Sequence, residues 1–206
     1  KNKSDFLLDY YQLDVNDYIT LLFENEENLT EEEKIFLDLF DKVNTLRIDY
    51  VLETYQIENI SQMCTAIAGI AAEGCEEYKD LYWVANTLFN RATHPYYSKK
   101  GINPYKQLIS PGQFAVYISP TSGAYLKYLY PKKIAQAKKY ELAKQAFLDM
   151  FVKGMDGIEH NYVEFRSWGT VSFSNNIAVK GGNRYGVELS EKNRVIPDSL
   201  KKEEVL

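Results

Sequence analysis

The chain has 206 residues, enough for one sizeable core or for one domain with a helical appendage. Its 45% hydrophobic and 26% charged residues describe a globular protein, and a formal net charge of -5 argues against an electrostatic nucleic-acid binder, which neutralises phosphates with an excess of Lys and Arg. No apolar run approaches a membrane span, Cys64 and Cys75 make no disulfide framework, and His94 and His160 form no HExxH or CxxC pattern, so neither metal nor cofactor is expected.

The chain starts at Lys1 rather than Met, without a charged-then-apolar leader, so a processed product or an excised fragment is expected, with any export signal missing. Residues 1 to 60 read as an acidic helical lead-in. Thr30 followed by Glu33 is a capping box, and Ile35, Phe36, Leu39 and Phe40 then recur at helical spacing, predicting a helix over 31 to 46 whose apolar stripe must pack on something. Shorter helices are predicted near 15 to 23 and 49 to 56. This lead-in is expected to dock on the main domain or to offer a contact surface to a larger assembly.

Residues 62 to 72 form a small-residue apolar segment that ends in one carboxylate, Glu73. Small residues let neighbouring backbone approach, so Glu73 is expected half-sunk in the domain, where desolvation favours the protonated form a general acid needs. The plainer alternative is a solvated Glu at a helix end. One helix through both cysteines would hold them about 16 Å apart, beyond disulfide reach, unless a sharp turn near Gly74 intervened. Leu81, Val84, Leu88 and Arg91 mark a second helix that stops before His94-Pro95. Arg91 reads as structural, closing that helix.

A polar loop follows, then a short helix at 104 to 109 opened by Pro104, then the turn Ser110-Pro111-Gly112-Gln113-Phe114. Helices are predicted at 122 to 130 and 133 to 153, divided at Pro131 and closed by Gly154. Lys132, Lys133, Lys138, Lys139 and Lys144 gather there, as a solvated face first and a contact for an acidic polymer second. Beyond Gly154, residues 162 to 165 and 171 to 173 alternate as strands do, and Gly181-Gly182-Asn183 forms a turn before residues 184 to 187. Helices followed by a small antiparallel ribbon make the fold class α+β, mostly helical. The division expected is 1 to 60, 61 to 190, and a charged, frayed tail over 191 to 206.

Ala72-Glu73, Asn90-Arg91 and Pro111-Gly112-Gln113-Phe114, with the Gly-Asn-Arg-Tyr turn at 182 to 185, resemble the spore-cortex-lytic, SleB-type cell-wall hydrolases across roughly 62 to 188. The resemblance implies a lysozyme-like helical domain with a small sheet edging a sugar-binding cleft. It makes Glu73 the catalytic acid, maps a second acidic position onto Glu77, and maps the Gly-Gln-Phe turn onto Gly112, Gln113 and Phe114. The basic residue expected shortly after the catalytic Glu is Cys75 here.

Glycosidic cleavage by two carboxylates needs them to flank the sugar. Glu77, four residues on, would be a neighbour of Glu73 on one face if the helix continued; alternatively Glu76 and Glu77 are first-turn acids of the next helix. The reading that fits best is a single-acid lytic transglycosylase. Asp80 or Glu164 completing a muramidase is the alternative. Gln113 and Tyr162 are candidate hydrogen-bond partners for N-acetyl groups or for Glu73, Phe114 is a candidate packing wall, and His160 reads as scaffold. The abundant rings, 17 Tyr and 10 Phe, suit a sugar cleft. The partner expected is the peptidoglycan glycan strand, with a virion or cell-wall assembly met through the N-terminal helices, no nucleic acid and no membrane span. The location expected is the cell wall or a virion. A non-catalytic binding or structural protein of the same fold competes with the enzyme, and a stem-peptide amidase or peptidase is weaker for want of metal or Cys-His spacing.

Overall fold

A computed structural model describes residues 15–111, 113–114, 123–167, 173 and 177–201. In chain order these form α1 (Val15–Leu22), α2 (Glu31–Thr54), α3 (Ile60–Glu73), α4 (Tyr78–Ala92), α5 (Pro104–Ile109), α6 (Leu126–Leu129) and α7 (Ile134–Lys153). Three strands follow, β1 (Tyr162–Ser167), β2 (Ile177–Ala178) and β3 (Asn183–Glu188), in one antiparallel sheet of order β1-β3-β2. The protein is thus α+β and mostly helical. No helix among the described residues is long and apolar enough to cross a membrane.

The capping box forms as its residue types require: Thr30 Oγ1 accepts the Glu33 amide at 3.2 Å, and the Glu33 carboxylate accepts the Thr30 amide at 2.8 Å. The helix it starts is longer than the pattern suggested. Residues predicted as separate helices at 31 to 46 and 49 to 56 are one helix, because no Gly or Pro interrupts them and Val43, Arg47 and Val51 keep one face buried at four-residue spacing. The predicted apolar stripe is only half covered. Phe40 is buried and its ring stacks on Tyr18 of α1 at 3.7 Å, while Ile35 and Leu39 stay exposed.

The lead-in and the main unit share a core. Val51, Tyr55 and Ile57 join the cluster built from α3, α4 and α7, and the Tyr55 hydroxyl donates to the Phe151 carbonyl at 2.6 Å. Its centre is α4, buried on every side from Asp80 to Ala92. Polar residues on α4 are matched rather than exposed. Asn86 Oδ1 accepts the amides of Glu159 and His160, and Asn90 Nδ2 donates to the carbonyls of His160 and Tyr162, so the helix itself sets where β1 begins.

A charged group also crosses this core. Arg47 is fully buried; burial pushes its guanidinium down and the adjoining Asp149 carboxylate opposes the shift, while Asp149 also accepts the Tyr78 hydroxyl. Substituting Asp149 with Leu leaves the buried guanidinium without its carboxylate. A loss of about 3–5 kcal/mol is expected, read as a lower midpoint in urea unfolding, and the double change Arg47→Met with Asp149→Leu should recover most of it.

The tail does not fray where described. Arg194 donates to Asn90 Oδ1, Thr93 Oγ1 and Asn161 Oδ1, and the Val195 amide donates to the Thr93 carbonyl at 2.7 Å. A guanidinium with three acceptors at the carboxyl end of α4 outweighs the fraying tendency of a charged terminus. Predicted helix 122 to 130 is a single described turn, and positions 171 and 172 of the predicted second strand lie outside the described residues.

Candidate functional site

Helix α3 is lined with Ala66, Ala68, Ile70 and Ala71, all without exposure, which lets its neighbours approach closely. It stops at Gly74, whose backbone turns extended at φ -86 and ψ 167. A Cβ at this position would lie 2.6 Å from Leu81 Cδ2, so any larger residue would have to displace the buried Leu81 side chain where α4 returns against α3. Glu73 is left half-buried at the last turn.

Its backbone is held from two sides. Asn183 Nδ2 donates to the Glu73 carbonyl at 2.9 Å, and Lys139 Nζ from α7 donates to the Gly74 carbonyl at 2.8 Å. Both bonds satisfy carbonyls that a helix end leaves without partners.

Asp80 ties this turn to the sheet. The fully buried carboxylate accepts the Cys75 amide at 2.7 Å, the Asn183 amide at 3.0 Å, Asn183 Nδ2 at 3.1 Å and the Tyr185 hydroxyl at 2.7 Å. Gly182 makes room for it, since a Cβ there would lie 2.7 Å from Asp80 Cγ. With its acceptor positions occupied, Asp80 fixes the hairpin beside Glu73 and does not face the cleft.

A cleft of about 320 Å³ opens at this junction. Glu73 and Asn183 form one side, Arg91, Gln113 and Phe114 another, and Phe165, Arg166 and Ser167 of β1 the rim. Arg91 is 5% exposed, donates from Nε to the Val163 carbonyl at 2.7 Å, and reaches Gln113 Oε1 at 3.4 Å. Its guanidinium carbon lies 4.5 Å from the centre of the Phe114 ring. Burial pushes this guanidinium down, opposed by the charges of Tyr97, Glu164 and Glu73.

Of the residues expected at the site, Glu73, Gln113 and Phe114 come together on the cleft. Tyr162 and Glu77 do not line it. Tyr162 is anchored by its backbone, its amide donating to His160 Nδ1 at 3.1 Å, and its ring stacks on His160 with centroids 5.8 Å apart. Glu77 is exposed at the N-cap of α4, just before the first turn where it was expected, and the helix break at Gly74 separates it from Glu73. Gly112 lies outside the described residues. Among the lining residues described, Glu73 is the one carboxylate, and Glu164, on β1 opposite Gly186, does not line the cleft. Of the segments outside the described residues, 115–122, 168–172 and 174–176 contain no Asp or Glu, whereas 1–14 and 202–206 do.

Sequence reasoning missed Asn183 as the clamp on Glu73 and Asp80 as the staple. It also read Arg91 as purely structural, although Arg91 lines the cleft. The Gly-Asn-Arg-Tyr turn pointed at the first two, because a glycine beside a polar residue marks close backbone approach. Both cysteines are free thiols, and no group of His, Cys, Asp and Glu among the described residues could hold a metal ion.

His160 is scaffold with a measurable consequence. Its Nδ1 accepts the Tyr162 amide, so Nε2 carries the proton and donates to the Trp83 carbonyl at 3.1 Å. Burial pushes the imidazole down to about 4, with the Trp83 carbonyl opposing. The unfolded chain takes up this proton below about pH 6.5 and the folded chain only below about 4, so stability is full above 6.5 and falls as the pH drops towards 4. Chemical denaturation should show a loss of about 2 kcal/mol between pH 7 and pH 5, most of it absent in His160→Gln. His94, also pushed down by burial and by Arg91, adds a smaller loss of the same sign.

The fold and site together define a mostly helical α+β protein with a cleft whose described wall carries one carboxylate. Comparison with protein families, with curated proteins and with solved structures finds no match to this chain.

Proposed function

We propose that the protein cleaves the glycan strand of bacterial peptidoglycan as a SleB-like lytic transglycosylase of lysozyme-like fold, with Glu73 as its acid and base. The observation that carries the reading is the placement of Glu73: it ends a small-residue helix, lines the cleft, and has no second carboxylate on the described wall.

A lone carboxylate can perform both proton transfers if the substrate supplies the nucleophile. Glu73 gives its proton to the bridging oxygen as the bond from C1 of muramic acid breaks. The muramic C6 hydroxyl then attacks C1, its proton passes to the Glu73 carboxylate, and a 1,6-anhydro ring closes with the acid restored. Arg91 supplies positive charge beside the carboxylate left after the first transfer. Phe114 and Phe165, with ring centroids 5.8 Å apart, offer an apolar wall to a sugar face, and Gln113 and Ser167 offer polar groups to N-acetyl substituents.

A muramidase needs a second carboxylate about 5 to 9.5 Å across the sugar. Asp80 is committed to four donors and Glu164 does not line the cleft, which favours the single-acid route. The proposed setting is the cell wall or a virion, with the exposed Ile35, Leu39 and Leu46 of α2 as the surface for docking on a larger assembly. Incubation with purified sacculi tests the reading. Wild type should release soluble muropeptides and Glu73→Gln should not. Glycan binding without any product from wild type would instead make this a non-catalytic wall protein.

A further inference from the structure

Between Asp80 and Glu141 the sequence contains no Asp or Glu, yet nine of its 24 Lys and Arg residues fall there. All 29 carboxylates of the chain lie in the flanking segments, so a protein of net charge -5 keeps one purely cationic stretch. Three of the nine are engaged by the fold: Arg91 lines the cleft, Lys106 pairs with Glu58 at the surface and Lys139 caps α3.

Of the remaining six, Lys99 and Lys100 lie in the loop before α5, and the other four gather at one elbow. Lys127, Lys132, Lys133 and Lys138 stand exposed around the elbow where α6 meets α7, and none of them makes an ion pair with a described residue. Lys34 with Glu31 and Lys42 with Asp38 are matched at helical spacing, while Lys79 and Lys153 have no ion pair with a described residue; the elbow is distinct in gathering four such lysines within twelve residues. At the elbow, Lys127 and Lys138 instead rest on the rings of Tyr128 and Phe23 at 5.0 and 5.8 Å. Tyr130 and Ile134, which alternate with these lysines in the sequence, are 69% and 68% exposed. Like charges gathered on one surface repel one another, and an anionic partner relieves that repulsion.

We propose that this elbow is a docking surface for a phosphodiester-bearing polyanion of the cell wall, which holds the protein on its substrate. The elbow presents lysines only. Their compact ammonium groups bind phosphate as point charges, donating to its oxygens from any direction. The footprint is short and the rest of the chain carries 29 acidic against 15 basic residues, which suits a flexible chain of spaced phosphates and repels a rigid duplex that would overrun it. The elbow adjoins the catalytic turn, because Lys139 bonds both the Tyr128 hydroxyl at 3.3 Å and the Gly74 carbonyl beside Glu73. The identity of the polymer rests on the wall-cleaving reading; its binding is measured without cleavage.

The test is cosedimentation of the full chain with purified wall sacculi that retain their phosphodiester polymers, and with the same sacculi after acid removal of those polymers. Wild type should bind the phosphate-bearing walls at least about tenfold more tightly, and should lose about fifty-fold in affinity from about 50 to about 200 mM salt if four phosphates are neutralised. The fourfold variant Lys127→Gln, Lys132→Gln, Lys133→Gln, Lys138→Gln should lose that preference while keeping its melting temperature and its activity on stripped sacculi. Equal binding to stripped walls, or an unchanged variant, overturns the proposal. Tighter binding to single-stranded DNA or to anionic lipid vesicles than to walls also overturns it. Phosphate-dependent binding by a wild type that releases no muropeptide supports this surface and removes the cleavage reading.

Discussion

Glu73→Gln is expected to lower muropeptide release by about 10³-fold or more while the protein stays folded. The exchange keeps the shape of the side chain and removes both the proton it gives as an acid and the carboxylate that takes one back as a base. The backbone at this turn is held by Asn183 and Lys139, and neither bond involves the Glu73 side chain, so both anchors remain in the variant. Glu73→Asp separates position from chemistry. It keeps a carboxylic acid but withdraws it by about 1 Å, and about 10²-fold loss is expected. Both variants should melt close to wild type by circular dichroism, with turnover followed on purified sacculi. A Glu73→Gln protein of full activity would remove Glu73 from the chemistry.

Asp80→Ala should have the largest effect on stability. Four donors converge on this carboxylate, from the Cys75 amide, from the amide and side chain of Asn183, and from the Tyr185 hydroxyl. Truncation to alanine would leave them buried without an acceptor, at about 1–3 kcal/mol each, and a total loss above about 4 kcal/mol is expected. The damage should be local before it is global. Hydrogen exchange at Asn183 and Cys75 should rise in the variant, because their amides lose the acceptor that protects them. Asp80→Asn keeps the shape but turns an amide group towards donors, so its stability should lie between those of wild type and Asp80→Ala. If Asp80→Ala were as stable as wild type, the stapling role would be wrong.

The elements and the cleft differ in how far they can be read from the sequence. Helix starts and stops are local chemistry, which is why Thr30 with Glu33, Pro104 and Gly154 mark boundaries that the fold keeps. The merging of two predicted helices into α2 was only partly legible: no Gly or Pro interrupts 31 to 54, but an Arg at 47 reads as solvent-facing until its buried pairing with Asp149, 102 residues away, is seen. Glu73 was legible through the small residues before it and Gly74 after it. Its surroundings were not. Asn183, Arg166 and Ser167 reach the cleft only because β1 pairs with β3 and Asp80 draws the hairpin against α3. Tyr162 and Glu77 miss it for geometric reasons. Tyr162 stacks on buried His160, and the chain breaks at Gly74 before Glu77 is reached.

The measurement that bears most directly on the proposed reaction is mass spectrometry of the muropeptides released from purified sacculi by wild type and by Glu73→Gln, before and after borohydride reduction. A single acid in the cleft predicts 1,6-anhydro-muramic ends that borohydride leaves unchanged and that vanish in the variant. Reducible muramic ends would contradict the single-acid mechanism and require a second carboxylate across the sugar; no product from wild type would contradict the enzyme itself.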